Sequence, residues 1–448
     1  MVEYRITVYL KSSFMKKQFF YLTLLLVVIN CPMTAQAPII LNSAIRTEVI
    51  DSICKKLNRE YIFADIAVKM SDFISTELKA GKYDAITDPK IFSDRLTADL
   101  RSSGHDMHLA VSYDPPWLEE GDAPAEGSGP TPEELKFYKE MNYGLSEVRI
   151  LNGNIGYLRI DEFVDPRYAG EVVVAAMNFL SNTRALIFDV RVNGGGYPET
   201  VELIISYLYN SSERIHLNDF YTRMGNRTDQ YWTSTYVPGK RLDHADVYVL
   251  TSRNTFSAAE EFCYDLKALK RATLVGETTG GGANPVDPRA VSHKFGMYIP
   301  RGRAINPITH TNWEGSGIQP DVKASVSEAL VKAQILALEK LKEKDKENPL
   351  YDWALLPLKV EETEPVQSIK LLRSYAGRYG KHELSFENGK LYYQSDISSK
   401  TEVQLIQPGL LAILENNAKR IQMVQENNQV IGIAIQRPGF TSPTIRKN

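Results

Sequence analysis

The chain has 448 residues, of which 43% are hydrophobic and 24% charged. That is enough apolar material for more than one buried core and too much for an intrinsically disordered polymer. Its 52 Lys+Arg and 55 Asp+Glu leave a formal charge of -3 with no long run of either sign, which excludes a nucleic-acid binder that works by neutralising phosphates. Cys31, Cys54 and Cys263 are widely spaced, with no CxxC or Cys/His cluster. This excludes zinc fingers, zinc ribbons and disulfide-stapled miniature scaffolds. No cofactor and no metal is expected.

Residues 1–37 read as an export signal. Lys16-Lys17 precede an apolar run from Phe19 to Ile29, and Ala35-Gln36-Ala37 is a small-x-small cleavage pattern. Met15 reads as the natural start. The run is short for a bilayer span, so an uncleaved anchor holding the N-terminus at a membrane is the alternative. Cys31 offers a lipid-attachment site, against which Asn30 is a poor preceding residue. Export implies a periplasmic or cell-surface location.

Residues 38–112 form an expected helical domain. Ile45, Val49, Ile50, Ile53 and Leu57 share one helical face, and Ile66, Met70, Phe73, Ile74 and Leu78 share another. Asp88-Pro89 fits an N-cap followed by proline at the first helical position, opening a third helix through Leu96 and Leu100. The stretch 113–146, crowded with prolines and glycines up to Pro132, reads as a linker or loop. From 147 to 325, short apolar runs (Ile155 to Ile160, Ala185 to Val190, Val247 to Thr251) alternate with helical ones near Val172 to Leu180 and Glu199 to Tyr209. This predicts an α/β core. Residues 326–365 read as one long helix through Leu330, Ala333, Ala337 and Leu341, running into a charged linker. The segment 366–448 reads as a small antiparallel β-domain, with Asn388-Gly389 as its strongest hairpin signal and Asn416-Asn417 and Asn427-Asn428 parting further strands.

Three places can carry chemistry. Ser257 stands between a buried strand ending at Thr251 and a helix opening at Ala258. Unpaired N–H groups and the helix dipole there would stabilise an alkoxide and a neighbouring oxyanion; a plain serine N-cap is the commoner use of such a position. Asn193-Gly194-Gly195-Gly196 also follows a strand and can turn N–H groups toward an anion. It lacks the Lys-Ser/Thr ending of a phosphate loop, so an oxyanion role fits it better. A nucleophilic serine needs a base. Of seven histidines, His108 lies where the helical domain meets a short apolar strand, and Glu314 is the best-placed carboxylate to orient it. The His105/His108 spacing, with no downstream partner, is a weak metal signal.

Taken together, Asp106-Met107-His108-Leu109, Asp189 through Gly196, Thr255 through Glu260, Val275 through Gly282 and Asn312 through Asp321 resemble the tail-specific protease superfamily of serine peptidases, over roughly residues 42–325. The similarity is greatest to the branch of the tricorn core and the interphotoreceptor retinoid-binding protein modules. The resemblance implies a ClpP/crotonase-like α/β core. It puts Ser257 in the nucleophile's place, His108 in the general base's and Glu314 in that of the tetrad carboxylate. Backbone N–H groups of Gly195 and Ala258 would form the oxyanion hole. The lysine of the Ser-Lys branch falls at Gly282, and the serine that precedes the tricorn-type histidine is replaced by Met107. No PDZ module is recognisable. The expectation is a secreted serine peptidase acting on a peptide or protein substrate through an acyl-enzyme. The alternatives are a non-catalytic module for retinoid- or fatty-acid-like ligands, or a scaffold whose β-domain supplies the partner; Arg253, Glu260 and Glu277 read as ion-pair or capping residues.

Overall fold

Three N-terminal helices form where the periodicity places them: Ser43–Glu60, Ala64–Lys79 and Pro89–Gly104 in a computed structural model that describes residues 40–118, 130–361, 369–414 and 416–448. The export signal expected over residues 1–37, and Cys31 with it, lie outside the described residues. Asn42 caps the first helix by accepting from Ile45 N–H at 2.9 Å, and Asp88 caps the third by accepting from Ile91 N–H at 2.9 Å, with Pro89 at the first turn. Their apolar faces bury Val49, Ile53, Leu57, Met70, Ile74, Leu96 and Leu100 in one cluster. Phe295, Met297 and Ile299, from far along the chain, complete it.

The reason is a strand pairing. The third helix stops at His105, whose φ of 54° breaks the helical path. The strand Ala110–Tyr113 that follows pairs antiparallel with Phe295–Pro300, itself paired with Val286–Ala290. The short turn carrying Asp106 and His108 is thereby pinned between the helical layer and a hairpin from the α/β region.

The α/β core is a six-stranded sheet in the order Val322–Lys323, Ala272–Gly276, Asp246–Thr251, Ala185–Asp189, Ile155–Ile160 and Leu145–Leu151. Only the last pair is antiparallel. One face is covered by the helices Pro166–Phe179, Pro198–Ser206 and Ala258–Ala268, the other by Ala329–Lys344. Burial on both sides explains why Ala185–Asp189 is buried at every position rather than at alternate ones. The loops that leave the carboxyl ends of three adjacent strands, after Asp189, Thr251 and Gly276, gather at one edge, where parallel sheets hold their ligands.

Two helices lie inside stretches expected to be linkers. Pro132–Glu140 sits within 113–146, started by a capping box in which Thr131 and Glu134 satisfy each other's N–H groups. Pro349–Glu361 sits within 326–365 and buries Tyr351, Ala354 and Leu355 against the long helix before it. It also meets the C-terminal region: Trp353 donates to the Asn417 carbonyl at 2.8 Å, and the Arg420 guanidinium lies 3.8 Å over the Trp353 ring. That region is a nine-stranded antiparallel sheet. Its hairpins turn at Asn388-Gly389, with φ of 51° and 81°, and at Asn427-Asn428, with φ of 49° and 63°. Among the described residues, no helix is long and apolar enough to cross a membrane.

Candidate active site

Ser257 holds φ 55° and ψ -123°, a backbone state that side chains rarely adopt. The surrounding loops over-determine it. Thr255 donates its hydroxyl to the Val190 carbonyl at 2.9 Å, Ser252 donates to the Arg191 carbonyl, and Phe256 N–H donates to the Asn193 carbonyl at 3.0 Å. These bonds fasten the serine turn to the glycine run. Gly195, at φ 118°, lies so close that an added Cβ would sit 2.7 Å from Ser257 Cβ and 3.1 Å from Ala258 N, so the contact requires glycine. The sequence-derived oxyanion pair is thus brought side by side. Ala258 N–H is the first of the helix Ala258–Ala268, among the donors that a helix start leaves without an intrahelical acceptor. Gly195 N–H is engaged, donating to Asn193 Oδ1 at 2.8 Å, so an oxyanion there must share or displace that bond.

Glu260 fixes the other side of the turn. Fully buried, its carboxylate accepts from Thr279 Oγ1 at 2.5 Å, Gly281 N–H at 2.7 Å, Gly282 N–H at 2.8 Å and Ser257 N–H at 3.1 Å. Burial pushes its pKa up, against the pull of these four donors. Glu260 is thus a capping residue, as its spacing suggested, and also the tie between the serine turn and the 279–282 loop.

His108 lies on the far side of that loop. Its side chain is 7% exposed, its ring centroid is 4.6 Å from that of Phe256, the residue before Ser257, and both ring nitrogens are buried without a hydrogen-bond partner among the described residues. Ser257 and His108 form no direct hydrogen bond; the link between them is Phe256, whose ring the imidazole packs against. Burial, with a smaller contribution from Arg101, lowers the imidazole pKa to about 4, so the ring is neutral at ordinary pH. Gly282 accounts for the absence of lysine at that position: a Cβ there would come 2.5 Å from His108 Cε1 and 2.3 Å from Phe256 Cζ. The imidazole occupies the space a side chain would need.

Glu314 reaches the same pocket. Its Oε2 accepts from Ala283 N–H at 2.6 Å and Asn284 N–H at 3.1 Å, while Oε1 is buried with no partner among the described residues. Burial, then the nearby Asp106 charge, raises its pKa to about 8. Asp106, which the sequence places in the motif with His108 but without a role, joins this group. Only 1% exposed, it accepts from Tyr61 Oη at 3.1 Å and Asn284 Nδ2 at 2.9 Å through Oδ2, and from His108 N–H at 3.0 Å through Oδ1. That Oδ1 is 4.0 Å from His108 Nδ1. One acid or imidazole atom from each of Asp106, His108 and Glu314 lies within 4.8 Å of the others. Tyr61, Asn284 and two backbone N–H groups already occupy one oxygen of each acid, a donor set suited to carboxylates held by hydrogen bonds. His105 is exposed at the helix end, outside this group, and Arg253 is exposed.

Residues 154–324 match peptidase family S41, and residues 33–143 match the N-terminal domain of peptidase S41 in eukaryotic IRBP. The chain is 30% identical over 183 residues to the tricorn protease of Thermoplasma volcanium, covering 38% of this chain and 15% of that one. It is 28% identical over 178 residues to carboxyl-terminal-processing peptidase 2, chloroplastic, of Arabidopsis thaliana, covering 37% and 31%. The matched stretch therefore spans less than a third of either relative. Among solved structures, a putative peptidase from Parabacteroides merdae is similar at 18% identity with a TM-score of 0.43, covering 66% of this chain and 95% of that one. Two successive family matches, accounting for the helical region and the α/β core in turn, support the assignment of this chain to the tail-specific protease superfamily.

Proposed function

We propose that the protein is an exported serine peptidase in which Ser257 is the nucleophile, His108 the general base and Glu314, with its neighbours, the orienting acid. The observation that carries the reading is His108: a buried, neutral imidazole with both nitrogens free, packed on the residue before a conformationally strained serine and backed by buried acids. A neutral imidazole can take the Ser257 proton as Oγ bonds to the substrate carbonyl carbon, then return it to the departing amine as the C–N bond breaks. Water, deprotonated by the same ring, cleaves the acyl-enzyme. Ala258 N–H, and Gly195 N–H once freed from Asn193, would hold the oxyanion. The core is read as ClpP/crotonase-like, and export, to the periplasm or the cell surface, as directed by residues 1–37. A role confined to binding apolar ligands gives no reason for a strained serine, a free imidazole and buried acids to adjoin one another.

The test is labelling with a serine-directed fluorophosphonate together with digestion of a peptide library. Wild-type protein should label and cleave, and Ser257→Ala should do neither. Equal labelling of both proteins, or cleavage surviving in Ser257→Ala, overturns the assignment.

A further inference from the structure

Met107 leaves open how an acid reaches the imidazole, since its side chain is 48% exposed and carries no hydroxyl. We infer that Asp106 is the positioning residue of His108, and that Asp106 and Glu314 act as one unit holding a single shared proton, so that one negative charge faces the ring. The consequence for rate rests on the peptidase reading; the arrangement itself does not.

Asp106 has the geometry for this. Its Oδ1 accepts from the His108 backbone N–H at 3.0 Å and stands 4.0 Å from His108 Nδ1, so a small rotation of the ring makes Nδ1–H donate to it. That tautomer leaves Nε2 as the free acceptor a serine proton needs. Asp106 is in turn anchored from two separate elements, Tyr61 after the first helix and Asn284 after the glycine loop, and cannot swing away. Two carboxyls this close and this buried cannot both ionise at ordinary pH. The groups around them do not supply a second compensating charge: Tyr61 is a neutral donor, Asn284 is uncharged, and Glu260 adds negative charge. Arg101 acts at longer range and donates its Nε to the Leu109 carbonyl at 2.8 Å. Glu314 has an oxygen to carry the proton, the buried Oε1 without a partner. Asp106 has three donors to stabilise charge.

The test is Asp106→Asn, a substitution of matching shape whose amide can turn toward the partnerless Asn284 Oδ1. In the full-length Ser257→Ala protein, the 15N spectrum of the histidine rings should show His108 protonated at Nδ1. Asp106→Asn should redistribute that tautomer, and Glu314→Gln should preserve it. With Ser257 present, Asp106→Asn should lower kcat on the order of 100-fold with KM changed less than about threefold, a larger loss than Glu314→Gln causes. Tyr61→Phe, which keeps the acid and removes one donor, is the second variant should Asp106→Asn not fold; it should move the same His108 resonances. An unchanged His108 tautomer in Asp106→Asn, or unmoved His108 resonances in Tyr61→Phe where the former is unfolded, overturns the inference. So does loss of the tautomer in Glu314→Gln. If the wild type neither labels nor cleaves but the tautomer responds as stated, the positioning role stands and the peptidase reading falls.

Discussion

Glu260→Ala tests how the serine turn is held. The substitution removes an acceptor serving four donors from two loops: Ser257 N–H, and Thr279 Oγ1, Gly281 N–H and Gly282 N–H. Hydrogen bonds to a charged group contribute about 1.5–3 kcal/mol each, so at face value about 6–12 kcal/mol is at stake. Two effects reduce it. The carboxylate is desolvated, which its raised pKa records, and losses within one network do not add. A net destabilisation of about 3–5 kcal/mol remains, a large part of the roughly 5–15 kcal/mol that stabilises a typical domain. Glu260→Gln should do nearly as badly, because its amide would point a donor at donors. Urea unfolding at pH 7 reads the effect through the midpoint at constant slope, and amide exchange at Gly281 and Gly282 localises it. A shift under about 1 kcal/mol in both variants, with Ser257 labelling intact, would refute the view that this carboxylate ties the two loops together.

Gly282→Ala places a methyl within 2.5 Å of both the His108 and Phe256 rings; peptide turnover should fall more than about tenfold, with little change in far-UV circular dichroism. Stability should also depend on pH through the same pocket. The unfolded imidazole protonates near 6.5 while the folded one waits until about 4. The His108 contribution is therefore complete above 6.5 and lost as pH falls to 4, about 3 kcal/mol in all. Glu314 works in the opposite sense: its folded pKa is raised, so its contribution is present below 4.5 and lost as pH rises to about 8. The two oppose each other between pH 4.5 and 6.5, so urea midpoints should be nearly level there and fall from 6.5 to 8, whereas in His108→Gln the fall should begin near 4.5.

Local patterns made much of this architecture legible. The first three helices declare themselves through apolar spacing and through Asn42 and Asp88 as caps, and the two asparagine-led hairpins through their need for positive φ. The helices at Pro132–Glu140 and Pro349–Glu361 were obscured by their prolines, although Thr131-Pro132 with Glu134 is a start signal and not a breaker. The site was legible only as separate loops. Ser257 and Gly195 both follow strand ends, a local cue; the Asp106 contacts with Tyr61 and Asn284 join residues that no periodicity links. Burial decides the rest. Glu260 reads as an ordinary capping glutamate until the glycine loop is seen folded over it, and Asp106 as a turn residue until its neighbours are counted.

The pairing of Ala110–Tyr113 with Phe295–Pro300 has a bearing on when the candidate site can assemble. His108 is translated long before Ser257, and the strand that pins its segment does not exist until residue 300 has left the ribosome. A nascent chain that ends before Phe295–Pro300 holds both side chains but lacks the pairing that fixes the His108 turn against the α/β region. The delay follows from the order in which the strands arrive.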